Sequence, residues 1–129
     1  MCLRVGANWS NLLSVLFLTS DLMIASQVEG AAERCGVALK VVASTDALAQ
    51  KCQADEVALV LVDLGFAGLE LKEIISSVEV ARSARPTIIA FGPHVQANRL
   101  EAARAAGCDE VMSRGALCAQ IDDLLRRYG

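Results

Sequence analysis

Short apolar runs alternate with stretches of helical periodicity along most of the chain. The runs predict strands at Val15–Leu18, Leu39–Val42, Ala58–Val62, Thr87–Phe91 and Glu110–Met112. Apolar runs without strict alternation are typical of strands that are buried on both faces. Each interval between two runs has room for one helix and two short loops. The pattern therefore predicts a parallel sheet that is covered by helices on both sides.

Helical periodicity fills the intervals and the end of the chain. Helices are predicted at about Leu22–Cys35, Asp46–Cys52, Leu69–Ala81, Gln96–Ala106 and Ala116–Arg127. The last helix places apolar residues on one face, namely Leu117, Ile121, Leu124, Leu125 and Tyr128. Gly36 and Gly107 follow two of the helices, where a left-handed residue commonly ends a helix. Ser44 or Thr45 is expected to cap the second helix.

The composition is that of one aliphatic domain. The chain has 129 residues, of which 54% are hydrophobic and 4% aromatic. Residues 1–13 lack periodicity and are expected to form a loose arm before a domain at residues 14–129. The net charge of −3 argues against a nucleic-acid partner. The apolar segment at Leu12–Leu18 is too short to cross a bilayer, so we expect a cytoplasmic protein without a membrane partner.

The cysteines and the histidine do not form a recognisable metal site. Five cysteines, Cys2, Cys35, Cys52, Cys108 and Cys118, include no C-x-x-C pair, and His94 is the only histidine. We interpret the cysteines as small buried hydrophobic residues and predict no metal–thiolate site. His94 follows Pro93 and is interpreted as a solvated loop residue, with a phosphoryl or metal ligand as the alternative.

Asp63 is the most informative polar residue. It ends the apolar run that begins at Val57, at the C-terminal end of the predicted central strand. Open α/β sheets carry their functional groups at the carboxyl ends of the strands. Asp63 is therefore a candidate reactive carboxylate, and the alternative is an ion-paired residue with a structural role only.

The chain resembles the receiver domains of bacterial response regulators. The resemblance rests on the alternating pattern, on Asp63, and on Pro86–Phe91 followed by Ala102–Gly107 and Asp109, which are similar to the family's P-I-I-x-L-T and A-L-x-A-G-A-D segments. It covers about residues 14–128. It implies an α/β fold, a doubly wound (βα)5 flavodoxin-like domain with strand order 2-1-3-4-5 and the first and last helices on one face.

The resemblance also implies a phosphorylation site with altered partners. The family's phospho-acceptor corresponds to Asp63. The acidic pair that binds Mg²⁺ in the family corresponds to Thr19 and Ser20, and the hydroxyl that ends strand 4 corresponds to Gly92. The switch aromatic of strand 5 corresponds to Val111, and the lysine that closes strand 5 corresponds to Arg114.

These replacements affect the binding of Mg²⁺ most directly. Mg²⁺ prefers hard oxygen ligands, and the hydroxyls of Thr19 and Ser20 replace two negative charges. A Mg²⁺ site is possible only if a one-residue shift of the first strand brings Asp21 to Asp63; otherwise Ser20 or Asp21 is expected to cap the first helix. Arg114 can form a bidentate ion pair with Asp63 that mimics a locked state without phosphate.

Three functions are compatible with these residues. The first is a stand-alone pseudo-receiver of two-component type, which is not an enzyme, needs no cofactor and acts through protein–protein contacts. The second is a phosphorelay receiver that accepts a phosphoryl group from a histidine kinase at Asp63. The third is a flavodoxin-like module that binds a cofactor, although the segment Thr19–Asp21 lacks a glycine for phosphate approach.

The resemblance further implies an interaction surface. The family commonly pairs through the fourth helix, fifth strand and fifth helix. In this chain the residues expected on that surface are Arg99, Arg104, Val111, Leu117 and Asp122. We predict that a homodimer or another protein partner uses this surface.

Overall fold

The computed structural model describes residues 14–54, 57–65, 71–79, 86–93 and 97–128. The strands are β1 (Ser14–Leu18), β2 (Ala38–Val42), β3 (Val57–Asp63), β4 (Thr87–Gly92) and β5 (Glu110–Ser113). The helices are α1 (Leu22–Cys35), α2 (Thr45–Ala54), α3 (Leu71–Glu79), α4 (Ala97–Ala106) and α5 (Arg114–Tyr128). The predicted arm at residues 1–13 and His94 lie outside the described residues.

The strands form one parallel sheet in the order β2-β1-β3-β4-β5, which confirms the predicted order. Alternate side chains of the central strands face opposite layers of helices. Phe17 and Leu61 belong to the cluster that includes α1 and α5, whereas Leu16 and Val60 belong to the cluster beneath α2, α3 and α4. Since both faces are covered, the central strands are apolar at successive positions rather than at alternate ones.

The helix ends follow the predicted capping chemistry. Gly36 ends α1 with a φ of 69°, and its N–H donates to the carbonyl groups of Ala32 and Glu33. Gly107 follows α4 with a φ of 114°. The Ser44 hydroxyl accepts from the N–H of Ala47 at 3.0 Å, which makes Ser44 the cap of α2. Across the described ranges, the helices lack the length and apolar character needed to cross a membrane.

The last helix begins at Arg114, two residues earlier than the predicted start at Ala116. The Ser113 hydroxyl accepts from the N–H of Ala116 at 3.1 Å, so Ser113 ends β5 and also caps α5. This direct passage from strand to helix makes Arg114 the first residue of α5. A cation at this end of a helix is electrostatically unfavourable unless an anion compensates it.

Candidate site at the carboxyl edge of the sheet

Asp63 is the last residue of β3, and both of its carboxylate oxygens have hydrogen-bond donors within the protein. The Thr19 hydroxyl donates to Oδ2 at 2.7 Å, and the backbone N–H of Gly65 donates to Oδ1 at 2.8 Å. Asp63 is half-buried, whereas Thr19 is buried with 3% of its surface exposed. The carboxylate is therefore held from two directions at the end of its strand.

Thr19 is fixed by the register of the sheet. Leu18 lies opposite Val62 in the β1–β3 pair, so Thr19 follows its strand beside Asp63. The backbone N–H of Thr19 donates to the carbonyl of Val42 at 3.3 Å. Its hydroxyl oxygen also accepts from the N–H of Asp21 at 3.0 Å. The hydroxyl therefore connects the start of α1 with Asp63.

Asp21 caps α1 and forms an ion pair with Arg114. Its Oδ1 accepts from the N–H groups of Met23 at 2.9 Å and Ile24 at 3.4 Å, which confirms the predicted cap. Its Oδ2 accepts from the Arg114 guanidinium. Both carboxylate oxygens of Asp21 thus accept hydrogen bonds from within the protein.

The structure decides between two pairs of alternatives that the sequence left open. Asp21 does not join Asp63, because the β1–β3 register keeps Thr19 next to Asp63 and the capping geometry turns Asp21 toward α1. Arg114 is hydrogen-bonded to Asp21 rather than to Asp63, because α5 begins at Arg114 and brings its guanidinium to the start of α1.

The Asp21–Arg114 pair holds both groups in their charged forms. The hydrogen bond from Arg114 lowers the pKa of Asp21; partial burial opposes this, and the N–H groups of Ile24 and Met23 add to the lowering. The hydrogen bond with Asp21 is the main cause that raises the pKa of Arg114, and the negative charge of Asp63 contributes further. The guanidinium is therefore hydrogen-bonded to Asp21, while Asp63 acts on it only through its charge.

The β4 side of the site has no hydroxyl group. Gly92 is buried, and a Cβ at this position would lie 3.4 Å from Cβ of Leu64. Leu64 is buried and donates its N–H to the carbonyl of Phe91 at 2.9 Å. The last residue of β4 therefore offers no hydroxyl to the site and has the apolar Leu64 as a neighbour.

Arg99 belongs to the edge of this site, which the sequence interpretation missed. Its Nη1 donates to the carbonyl of Leu64 at 3.0 Å, next to Asp63. Arg99 lies in the first turn of α4, shortly after β4 in sequence. The starts of helices that follow parallel strands lie at the carboxyl edge of the sheet, and this general rule is the signal that could have identified it.

The structure places the remaining degenerate positions apart from the Asp63 network. Ser20 is exposed beside the cap of α1. Val111 is half-buried and packs against the cluster beneath α2, α3 and α4. An aliphatic, β-branched residue therefore occupies the position of the switch aromatic.

One member of the predicted interaction surface is buried, and another is paired with α1. Leu117 has 0% of its surface exposed, because it forms part of the core beneath α5. Asp122 faces α1, where its Oδ1 accepts from Arg34 at 3.0 Å. Arg104 is exposed and pairs with Glu101 at 2.9 Å, on the helix where the surface was predicted.

The polar groups do not fit the Mg²⁺ site that the resemblance implies. Mg²⁺ prefers carboxylate oxygens in nearly octahedral geometry, whereas neutral Thr19 and Ser20 stand at the family's acidic positions and the carboxylates present are oriented by internal hydrogen bonds. The oxygens of Asp63 accept from Thr19 and Gly65, and those of Asp21 accept from α1 and Arg114. Among the residues that the structure describes, no group of three or more His, Cys, Asp or Glu side chains is suited to a metal ion.

Two large apolar side chains are exposed next to this network. Leu22 and Met23 form the start of α1, directly after Asp21, and have 84% and 78% of their surfaces exposed. In a protein interior such side chains would be stabilised by burial. Their position makes them available for contact with another protein.

Comparison with solved structures shows that the chain has the receiver fold. The receiver domain of sensor histidine kinase PA1611 from Pseudomonas aeruginosa, with a magnesium ion in its active-site cleft, matches with a TM-score of 0.74 and 16% identity over 89% of this chain and 95% of that one. The chemotaxis response regulator CheY4 of Vibrio cholerae matches with a TM-score of 0.72 and 13% identity over 92% and 99%.

A chain in the crystal structure of a complex of two signalling proteins also has a similar fold. In the Saccharomyces cerevisiae co-crystal structure of the histidine phosphotransfer protein Ypd1 with the receiver domain of the response regulator Ssk1, the matching chain has a TM-score of 0.74 and 12% identity over 92% of this chain and 90% of that one. No sequence model of a protein family matches this chain, and no curated protein matches it. The likeness therefore concerns the fold.

Proposed function

We propose that the chain is a signalling module of two-component type that acts through protein–protein contacts and is not phosphorylated at Asp63. The observation that carries this proposal is the internal occupation of the site. Both oxygens of Asp63 accept hydrogen bonds from within the protein, and the neighbouring cation Arg114 is paired with Asp21. Attack on a phosphoryl group requires a carboxylate oxygen that can turn toward phosphorus, which the hydrogen bonds to Asp63 oppose, and a cation that neutralises the equatorial oxygens.

The surroundings of Asp63 support this proposal further. The position that supplies a hydroxyl in receivers is Gly92, which has no side chain and lies next to Leu64. Val111 replaces the aromatic residue whose rearrangement reports phosphorylation in that family. A phosphoryl group at Asp63 would therefore lack both a stabilising donor on the β4 side and a side chain to transmit its presence.

A protein partner fits the surface around this site. Leu22 and Met23 expose large apolar side chains at the start of α1, beside the Asp63 network. Ypd1 and the receiver domain of Ssk1 form a complex, which supports a protein partner from the same kind of signalling system, such as a histidine kinase or phosphotransfer protein. Homodimerisation through α4, β5 and α5 is a second possible use of the fold, with Arg104 as its exposed charged residue.

The alternative is a receiver that accepts a phosphoryl group in a phosphorelay. It is favoured by one observation: Asp63 is half-buried rather than fully enclosed, at the end of β3. For phosphorylation to occur, the Thr19 hydroxyl would have to release Oδ2 and Arg114 would have to leave Asp21.

Intact mass spectrometry after incubation with acetyl phosphate and Mg²⁺ tests the proposal. The account predicts no adduct, while a phosphorylatable receiver treated in parallel gains the mass of one phosphoryl group. An adduct on the wild-type chain that is missing from Asp63→Asn would overturn the proposal in favour of the phosphorelay. A circular dichroism spectrum of each sample confirms that the protein is folded.

A further inference from the structure

We propose that residues 1–13 occupy a groove between α1 and β2, with Trp9 against its apolar side chains and Arg4 beside its two glutamates. The groove lies at the amino edge of the sheet, near the end of α1 and the start of β2, whereas the Asp63 site lies at the carboxyl edge. Binding at the groove therefore goes beyond the proposed function and does not depend on the chemistry of Asp63.

The groove has a volume of about 330 Å³ and combines apolar with acidic side chains. Ala32, Val37 and Leu39 form its apolar part, and Glu29 and Glu33 form its acidic part. The alanine is buried, the other two apolar residues are half-buried, and both glutamates are exposed. In the described part of the sheet, β2 is an outer strand that pairs with β1 alone. The groove therefore offers apolar contact next to two negative charges at the border of the sheet.

The two glutamates form no ion pair with the residues that the structure describes. Glu29 and Glu33 are four residues apart on α1, so their charges lie on the same face of the helix. The nearby cation Arg34 is paired with Asp122 of α5. Like charges at this spacing repel each other, so a cation that binds beside them is favourable.

The segment that precedes β1 reaches the described part of the chain next to this groove. Ser14 is the first described residue, and it lies opposite Ala38 in the β1–β2 pair. Ala38 stands between the groove residues Val37 and Leu39. Trp9 precedes Ser14 by five residues, which span at most about 18 Å when they are fully extended. This short tether gives the segment a high effective concentration at the groove.

The composition of residues 1–13 matches the chemistry of the groove. The segment contains Trp9, the only tryptophan of the chain, and Arg4 is its only residue of the types Lys, Arg, Asp and Glu. Contact of a large aromatic ring with aliphatic side chains is favourable because it removes apolar surface from water. The charge of the arginine is attracted by the two glutamates. Apolar and charged parts of the segment thus find complementary parts in the groove.

Tryptophan fluorescence tests this inference, because the emission of the chain comes from one known tryptophan. In the full chain, emission from Trp9 should lie at shorter wavelength than in a synthetic peptide of residues 1–13. Quenching by acrylamide should be at least about threefold weaker in the full chain than in the peptide, since the groove is occupied in most molecules. Emission and quenching equal to those of the peptide would overturn the inference.

Charge reversal identifies the groove as the place where Trp9 is shielded. The double variant Glu29→Lys, Glu33→Lys changes only exposed side chains and should be quenched as strongly as the peptide. The matched control is Glu73→Lys with Glu101→Lys, which changes the net charge equally at exposed positions of α3 and α4, on the other face of the sheet. The control should keep the shielding of the wild type. Unchanged shielding in the first variant, with a circular dichroism spectrum of folded protein, would overturn the inference.

An exchange of charges tests the partner of the glutamates. Arg4→Glu alone should expose Trp9, and its combination with Glu29→Lys and Glu33→Lys should restore the shielding, because opposite charges again face each other. Failure of the triple variant to regain shielding would contradict the pairing. Shielding that disappears on dilution would place the segment in the groove of a second copy of the chain and would overturn the arrangement within one molecule.

Backbone amide NMR locates the contact independently of charge. Trp9→Ala should shift the signals of Ala32, Val37 and Leu39, because it removes the ring that lies against them. The signal of Gly65, at the opposite edge of the sheet, should stay unchanged and serves as the internal control. Shifts that spare the groove residues would overturn the inference.

Discussion

The interior of the sheet and its carboxyl edge obey different physical constraints. In the interior, the side chains of Val15–Leu18, Leu59–Val62 and Ile88–Phe91 are apolar and buried, and any similar side chain that fills the space preserves the layers. At the edge, a few polar groups are joined by specific hydrogen bonds, so a single replacement changes what the site can bind. The difference teaches that packing of many interchangeable side chains maintains the fold, whereas a few specific hydrogen bonds determine what the edge can bind.

The largest expected loss of stability follows a substitution in the interior. Phe17 is fully buried, and its ring lies 5.8 Å from that of Phe91. Phe17→Ala should lower the free energy of unfolding by about 3–5 kcal/mol, because it removes buried surface and leaves a cavity. Urea denaturation measures the change. Leu22→Ala, at an exposed position, is the control and should alter the free energy by less than about 0.5 kcal/mol; similar losses for both variants would contradict the comparison.

The second-largest expected loss of stability follows a substitution of Thr19, which lies buried at the carboxyl edge. Thr19→Val preserves the shape of the side chain but removes the donor to Asp63 and the acceptor for the N–H of Asp21. The free energy of unfolding should fall by about 1–3 kcal/mol, since both partners lose a hydrogen bond. Thr19→Ser retains the hydroxyl and should retain most of the stability. A valine variant as stable as the wild type in the same denaturation experiment would show that the hydroxyl is not required.

A smaller effect is expected at the cap of α1. Asp21→Ala removes the acceptor for Met23 and Ile24 as well as the partner of Arg114, whereas Asp21→Asn keeps the capping oxygen and loses only the charge. The melting temperature should therefore fall more for alanine than for asparagine. The reverse order, or equal melting temperatures, would show that capping by this side chain contributes little.

The smallest expected effect is the contribution of the Asp21–Arg114 pair to the pH dependence of stability. The pKa of Asp21 is lowered from its ordinary value of 3.8, chiefly by the hydrogen bond from Arg114. A lowered pKa in the folded state means that the contribution is present above the ordinary value and is lost as the pH falls through the lowered value. Thermal unfolding from pH 6 to pH 2 should thus show a smaller decrease in stability for Asp21→Asn than for the wild type. Parallel curves would argue against the pair.

The fold could be predicted from the sequence because burial leaves a local pattern. Central strands that are covered on both faces appear as apolar runs, and Gly36 and Gly107 mark the ends of α1 and α4. The position of Asp63 followed from the same pattern. These features depend on neighbouring residues in the chain, so the sequence reports them directly.

The connections within the site could not be predicted in the same way. Thr19 and Asp63 are 44 residues apart, and Asp21 and Arg114 are 93 residues apart. The choice of Asp21 as the partner of Arg114 depends on the start of α5, which the Ser113 cap sets two residues before the predicted start. The burial of Leu117, by contrast, agrees with the apolar face predicted for the last helix, and only the family position had placed this residue on an interaction surface.

The most direct test of the central claim, that the Asp63 site is occupied internally, is the backbone amide NMR spectrum of the wild type with Mg²⁺ and beryllofluoride, an analogue of a phosphoryl group. The account predicts no change in the signals of Thr19, Asp63 and Gly65 relative to the spectrum without these additions. A second set of signals at these residues that grows with beryllofluoride and is missing from Asp63→Asn would contradict the account, because it would show that the carboxylate is available to a phosphoryl group.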